Sequence, residues 1–260
     1  MKYAKKSLGQ NFLNDKNVIK KIVNLINIKN KNIIEIGPGN GALTNEILKK
    51  KPKTFFAIEK DTFLSKELKS RYSNNKNFKI FNDDILKFDI KSITKKNTII
   101  FGNLPYNISS QIFVKILRLR KWPSNIIGII FMFQKELGEK IISEYPSINY
   151  GRLSILTHYR LKFIKKFLVS PNCFFPKPKV TSMVIYFAPK IDTNYNIVNL
   201  ESLEKVTNVL FSNRRKMINK NITKILGEEE IKKIGNLKLS SRPNNIEPKI
   251  FFKITELFEK

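Results

Sequence analysis

The sequence is poor in the residues that build disulfide, metal and redox sites. Its 260 residues include one cysteine, Cys173, and one histidine, His158. A disulfide framework and a cysteine-rich zinc site are therefore excluded, and we interpret His158 as structural because no partner pattern accompanies it. No apolar run has the length of a signal-peptide core or of a membrane span. We expect a cytoplasmic, monomeric protein that uses no metal ion.

Acidic residues are also few in comparison with basic ones. The chain has 21 Asp and Glu against 49 Lys and Arg, which gives a formal net charge of +28 at pH 7. Such an excess favours an acidic partner, and RNA, a polyphosphate, fits best. Part of the excess is compositional, because Lys, Asn, Ile and Phe are all plentiful, as A/T-rich codons would make them.

A glycine-rich loop follows the first strongly predicted strand. Residues 33–36, Ile-Ile-Glu-Ile, predict a short strand, and Gly37, Gly39 and Gly41 come directly after it, before a predicted helix that begins near Ala42. Glycines at this spacing let the backbone pass close to a ligand between strand and helix. Dinucleotide enzymes share the pattern, and an ordinary turn between strand and helix is the other alternative.

Two further predicted strands end in acidic residues. The strand at 54–58 is followed by Glu59, which is placed to accept hydrogen bonds from two ribose hydroxyls. The strand at 78–81 leads to Asp84, where a carboxylate can bind the amino group of an adenine. Because the glycine loop also departs from the G-x-G-x-x-G spacing, the pattern favours S-adenosylmethionine over a dinucleotide.

A fourth predicted strand, 98–102, ends in the turn Asn103, Leu104, Pro105 and Tyr106. Pro105 stops the strand at the sheet edge where open α/β sheets bind ligands. The Asn103 side-chain oxygen and the Leu104 carbonyl can accept the hydrogens of an exocyclic amino group, which localises the lone pair on its nitrogen. Tyr106 can stack on the base. Taken alone, such a turn is also common after a strand that it simply ends, with no role in function.

Taken together, these motifs resemble the ribosomal RNA adenine N6,N6-dimethyltransferase family, and most closely its bacterial 16S members. The resemblance extends over nearly the whole chain, through residues 8–13, 35–41, 84, 102–106, 131–136, 150–153, 174–180 and 211–216. It implies an α/β, Rossmann-like S-adenosylmethionine-dependent methyltransferase with a small helical C-terminal domain. The implied reaction is N6,N6-dimethylation of two adjacent adenosines in the 3′-terminal stem-loop of 16S ribosomal RNA, within the small ribosomal subunit.

The resemblance also implies roles for single residues. The implied cofactor site consists of Asn11, Leu13, Gly37, Gly39, Gly41, Glu59, Asp84 and Asn103. Residues 103–106 would form the catalytic turn, and Phe174 would stack on the target adenine opposite Tyr106, although the neighbouring Phe175 leaves open which ring does so.

The C-terminal part of the chain is expected to orient RNA. A polar break after Pro189 predicts a catalytic domain at 1–189 and a helical RNA-orienting domain at 190–260. Arg214, Arg215 and Lys216 would clamp RNA phosphates, since Arg forks suit phosphate, and a solvated basic face is the alternative.

Two rival functions are consistent with the same fold. One is dimethylation of 23S ribosomal RNA, which gives antibiotic resistance, and residues 8–10 and 213–216 argue against it. The other is a non-catalytic ribosome assembly factor. The intact turn at 103–106, together with Glu59 and Asp84, argues against that reading, because a binding protein has no need of all of them.

Overall fold

The computed structural model describes Lys5 and residues 8–119, 122–123, 125–191 and 194–260. The chain forms two compact units, one made of the residues up to Gly138 together with Phe163–Pro189, the other of Glu139–Lys162 and Lys190–Lys260. The predicted boundary after Pro189 coincides with one of these divisions. The segment Glu139–Lys162 differs, because the prediction placed it in the first domain and the structure groups it with the second.

The first unit is built on a seven-stranded sheet. Its strands are β2 (Asn32–Ile36), β3 (Thr54–Glu59), β4 (Phe78–Asn82), β5 (Thr98–Asn103), β6 (Ile126–Gln134), β7 (Leu161–Val169) and β9 (Ser182–Pro189). They lie in the order β4-β3-β2-β5-β6-β9-β7. Strands β4, β3, β2, β5 and β6 pair in parallel, whereas β6 and β9 are antiparallel. All of β2 is buried, which explains its almost continuous apolar sequence.

A separate two-stranded sheet joins the N-terminal segment to the region before β9. It consists of β1 (Phe12–Leu13) and β8 (Phe174–Phe175), which pair antiparallel with Phe12 opposite Phe175 and Leu13 opposite Phe174.

Helices of the first unit pack against the sheet. They are α1 (Lys16–Val23), α2 (Ala42–Lys49), α3 (Thr62–Arg71) and α4 (Ser109–Leu117), and α5 (Lys135–Ile141) follows β6 directly. Ile130 and Met132 of β6 share a buried cluster with α1 and α2. The alternate residue Phe133 instead contacts Phe113 of α4, with ring centroids 5.6 Å apart. Side chains that alternate along a strand point to opposite faces, so the sheet has a core on each face.

The second unit has its own core of helices. Its helices are α6 (Arg152–Arg160), α7 (Leu200–Phe211), α8 (Asn219–Ile222), α9 (Glu228–Lys232) and α10 (Pro248–Phe258). Helix α6 packs against α7 and α10, and the Tyr150 hydroxyl donates to the Ile246 carbonyl at 3.0 Å. These contacts explain why the segment before β7 belongs to this unit. Within the described ranges, no helix is long and apolar enough to cross a membrane.

Candidate active site

The ends of β2, β3, β4 and β5 open into one cavity that brings the predicted motifs together. Residues 8–13, 35–40, 42–43, 58–60, 83–85, 103–108 and 112 line it. Seven of the eight predicted cofactor residues are therefore in one place, and Gly41 is the exception. Gly41 has a φ of +84°, and a Cβ on it would lie 2.7 Å from Leu68 Cδ2, so its glycine is required by backbone and packing.

The glycine loop is fastened to the neighbouring strand β3. The Gly37 amide donates to the Ile58 carbonyl at 2.9 Å, and the Gly39 amide donates to Glu59 Oε2 at 3.0 Å. Gly37 has a φ of +67°, and the nearest atom to a Cβ placed there would be the Asn103 carbonyl oxygen, 3.8 Å away. The loop therefore leaves open space that a ligand can fill at close range to the backbone.

Glu59 is held as a buried acceptor at the end of β3. Its side chain is only 7% exposed, and its Oε1 accepts from the Asp61 amide at 2.8 Å. Burial raises the pKa of this carboxyl, and the hydrogen bonds from the Asp61 and Gly39 amides oppose that rise. Each carboxylate oxygen has more than one acceptor site, so Glu59 can hold backbone amides and ligand hydroxyls together.

Asp84 is kept ionised by a lysine that the sequence analysis missed. Lys60 Nζ lies 2.8 Å from Asp84 Oδ2, and the Leu86 amide donates to Asp84 Oδ1 at 2.9 Å. Lys60 is the main reason that the pKa of Asp84 is lowered. Its position directly after Glu59, at the same sheet edge, was the available signal.

Glu35 is a second residue that the sequence analysis did not single out. It is 1% exposed in β2, and its Oε2 accepts from the Thr44 hydroxyl at 2.6 Å. Burial raises its pKa from 4.5 to about 8, and the neighbouring Glu59 adds to the rise. A glutamate inside an otherwise apolar strand was the signal, because a buried carboxyl needs a compensating reason to be there.

The turn at 103–106 is fixed at both ends by hydrogen bonds. Asn103 Nδ2 donates to the Asn11 carbonyl at 3.1 Å. Because a carbonyl only accepts, this bond determines the orientation of the amide and leaves Asn103 Oδ1 as the acceptor. The Tyr106 hydroxyl and Ser182 Oγ are 2.5 Å apart, and burial raises the pKa of the tyrosine. The turn thus presents an oriented amide oxygen next to a fixed aromatic ring.

The model of the ribosomal RNA adenine dimethylase family matches residues 1–260. The chain belongs to this family.

Individual relatives agree with the family match. The chain is 44% identical to a ribosomal RNA small subunit methyltransferase A of Pelagibacter ubique, over 98% of this chain and 97% of the relative. It is 41% identical to a protein of the same name from Mycoplasmopsis synoviae, over 89% and 86% of the two chains. In fold it is similar to a crystal structure of a dimethyladenosine transferase from Plasmodium falciparum, with 24% identity, coverage of 94% and 95%, and a TM-score of 0.75.

These findings confirm the predicted family, fold class and enzyme class. The dimethylase is a methyltransferase that acts on ribosomal RNA and uses S-adenosylmethionine. The cavity fits that cofactor, because open space beside Gly37 is combined with acceptors for hydroxyl and amino groups at Glu59 and Asp84. When bound, the cofactor supplies a methyl group on a sulfonium to a nucleophile.

Phe174 and Phe175, the two candidates for the ring that stacks on the target adenine, differ in how far they are buried. Phe174 is 3% exposed and belongs to the core cluster that also contains Leu13, whereas Phe175 is 50% exposed. Neither ring lines the cavity. Stacking by Phe174 would use a ring held by packing, and stacking by Phe175 would use a ring that solvent reaches.

The basic residues of the turn that follows α7 are all exposed, and Arg214 is in addition anchored by hydrogen bonds. Arg214 Nη2 donates to the carbonyls of Ile148 at 2.7 Å and Tyr150 at 2.8 Å, and its Nε donates to Asn244 Oδ1 at 2.9 Å. This guanidinium face is used within the second unit of the dimethylase, so it cannot also grip a phosphate with the same donors. Arg215 and Lys216 are exposed.

The single histidine and cysteine lie away from the cavity lining. His158 Nε2 is 3.0 Å from the Ser143 carbonyl oxygen, and Cys173 Sγ is 3.8 Å from Asp15 Oδ2. In the described ranges, no group of three or more His, Cys, Asp or Glu side chains is arranged to hold a metal ion.

Proposed function

We propose that this dimethylase adds two methyl groups to N6 of each of two adjacent adenosines in the 3′-terminal stem-loop of 16S ribosomal RNA. The observation that carries the chemistry is the oriented Asn103 amide, whose nitrogen is held by the Asn11 carbonyl. The choice of RNA is supported by the small-subunit names of relatives at 41% and 44% identity. No comparable support favours the 23S alternative.

The turn at 103–106 would activate the attacking nitrogen. The lone pair of an adenine amino group is delocalised into the ring, so this nitrogen is a poor nucleophile. Asn103 Oδ1 and the Leu104 carbonyl can each accept one of its hydrogens and localise that lone pair on the nitrogen. Because the target must leave the base stack to reach the turn, Tyr106 would hold the flipped base by stacking. After transfer, the methylated nitrogen releases a proton to water.

The second unit would orient the RNA. We assign phosphate contact to the exposed Arg215 and Lys216, and we give Arg214 the task of holding the turn in shape. The net charge of +28 supports long-range attraction of the RNA backbone to both units. The proposal includes a monomer that needs no metal and works in the cytoplasm, where the assembling small subunit is found.

The proposal is tested by giving the protein labelled S-adenosylmethionine and unmethylated ribosomal particles. Mass spectrometry of both ribosomal RNAs should then find two adjacent N6,N6-dimethyladenosines in 16S RNA and unlabelled 23S RNA. Label in 23S RNA would favour the resistance-type activity. Absence of transfer to either RNA, with cofactor binding intact, would favour the assembly-factor reading.

A further inference from the structure

The N-terminal segment forms one wall of the cofactor cavity. We refer to Lys5 and residues 8–13 as the strap. Every residue from 8 to 13 lines the cavity, together with the glycine loop and the acidic strand ends. A ligand that fills the cavity therefore touches the strap.

The buried carboxylate of Asp61 binds two residues of the strap. Asp61 is 3% exposed, and its Oδ2 accepts from Gln10 Nε2 at 3.1 Å and lies 3.0 Å from Lys5 Nζ. The Lys5 amide also donates to Gln10 Oε1 at 2.8 Å. Burial opposes ionisation of Asp61, but the bonds from Lys5 and Gln10 prevail, so the pKa of Asp61 is lowered. The contact is a charge-assisted bond within a small network.

Asp61 connects the strap to the rest of the cofactor site. Its Oδ1 caps α3 by accepting from the Phe63 amide at 3.0 Å. Its own amide donates to Glu59 Oε1 at 2.8 Å, and Glu59 Oε2 in turn accepts from the Gly39 amide at 3.0 Å. The strap, the ribose acceptor and the glycine loop are thus linked through the carboxylates of Asp61 and Glu59.

The strap residues on either side of Gln10 contact the turn at 103–106 and the residue that follows it. The Asn11 carbonyl accepts from Asn103 Nδ2 at 3.1 Å. Gly9 has a φ of +62°, and a Cβ on it would lie 3.0 Å from Asn107 Oδ1, so the strap passes close over the turn. A shift of the strap would therefore free the Asn103 amide to rotate.

We propose that Lys5, Gln10 and Asp61 form a latch that holds the strap closed over bound S-adenosylmethionine and so keeps Asn103 in its acceptor orientation. They are positioning residues, since they act through the strap and through Asn11. The inference rests on the proposed function for the place of the cofactor. It adds a dependence of cofactor residence time and of amide orientation on a contact outside the reacting atoms.

The test uses two variants outside the cavity lining, Lys5→Ala and Asp61→Asn, in the full-length protein. Asn can still cap α3, so Asp61→Asn removes the charge and keeps the helix start. Asp15→Asn is the matched control, because Asp15 caps α1 through two backbone amides and has no bond to the strap among its described contacts. Stopped-flow release of S-adenosylmethionine and hydrogen exchange of amides 8–13 are measured for each protein.

We expect release to become about tenfold faster in either latch variant, the scale of a lost hydrogen bond to a charged group. The double variant should add little, because both changes break the same contact. Exchange of the strap amides should be slowed by cofactor in the wild type and in Asp15→Asn, and much less in the latch variants. Turnover should fall in parallel and partly recover at saturating cofactor.

Two results would overturn the inference in distinguishable ways. If the wild-type strap is protected by cofactor and both latch variants release it at the wild-type rate, the latch is wrong and the cofactor site stands. If cofactor leaves the wild-type strap unprotected and Glu59→Ala binds it with unchanged affinity, the proposed cofactor site itself is wrong and the latch fails with it.

Discussion

Replacement of Asn103 by alanine tests the chemistry most directly. The change removes Oδ1, one of two acceptors proposed for the target amino group. Loss of one oriented hydrogen-bonding partner in a preorganised site lowers the rate by about 10² to 10³. The change also removes the hydrogen bond from Asn103 to the Asn11 carbonyl, which is worth about 1 kcal/mol. Loss of this bond to the strap should therefore weaken cofactor affinity by no more than roughly tenfold.

The assay separates these two effects. Single-turnover transfer to small-subunit particles at saturating cofactor reports the chemical step, and calorimetry reports cofactor affinity. We expect transfer to fall by at least about 100-fold and affinity by no more than about tenfold. Asn45→Ala, at an exposed position of α2, is the control and should match the wild type in both measurements. Turnover of Asn103→Ala within a few-fold of wild type would refute the catalytic role of the turn.

The remaining predictions concern the buried acid, the stacking ring and the basic turn. The pKa of Glu35, about 8 in the folded protein against 4.5 ordinarily, means that the native state binds more protons, so stability should fall between about pH 5 and pH 8. Glu35→Gln should flatten this dependence of stability on pH in urea titrations, and an unchanged dependence would contradict the assignment. Phe174→Leu should lower turnover about tenfold, the scale of a lost aromatic stack on a base, whereas Phe175→Leu should change turnover little. A larger loss in Phe175→Leu than in Phe174→Leu would assign stacking to Phe175. Replacing Arg215 and Lys216 by Glu should weaken binding to small-subunit particles and reduce its salt dependence by about two counterions, with cofactor affinity unchanged, whereas an unaltered salt slope would identify a solvated face.

The sequence predicted the sheet well because its central strands are buried along their length. Runs such as 33–36 and 98–102 are mostly apolar, with Glu35 and Thr98 as exceptions, and further polar residues appear where each strand begins or ends. Since parallel strands end at the same edge, acids and amides that follow them converge, and Glu59, Asp84 and Asn103 do line one cavity.

Pairings between distant side chains could not be predicted in the same way. Arg214 and Tyr150 are 64 residues apart, and the bond between them depends on how the helices of the second unit pack. The basic turn therefore looked uniform in sequence, although one of its arginines is anchored. The grouping of residues 139–162 with the C-terminal helices has the same origin, because nothing local marks a segment whose helix packs against α7 and α10.

The pKa values of two acids in the same cavity are shifted in opposite directions, and the surroundings of each acid explain its shift. Burial favours the neutral form of Glu35 and outweighs the hydrogen bond from the Thr44 hydroxyl, which favours the ionised form, so the pKa is about 8. Asp84 is paired with Lys60, so its ionised form is favoured. At neutral pH the cavity therefore combines a neutral carboxyl, which can donate a hydrogen bond, with a carboxylate, which can only accept. A positively charged ligand that fills the cavity would favour ionisation of Glu35, so its binding should release protons near neutral pH.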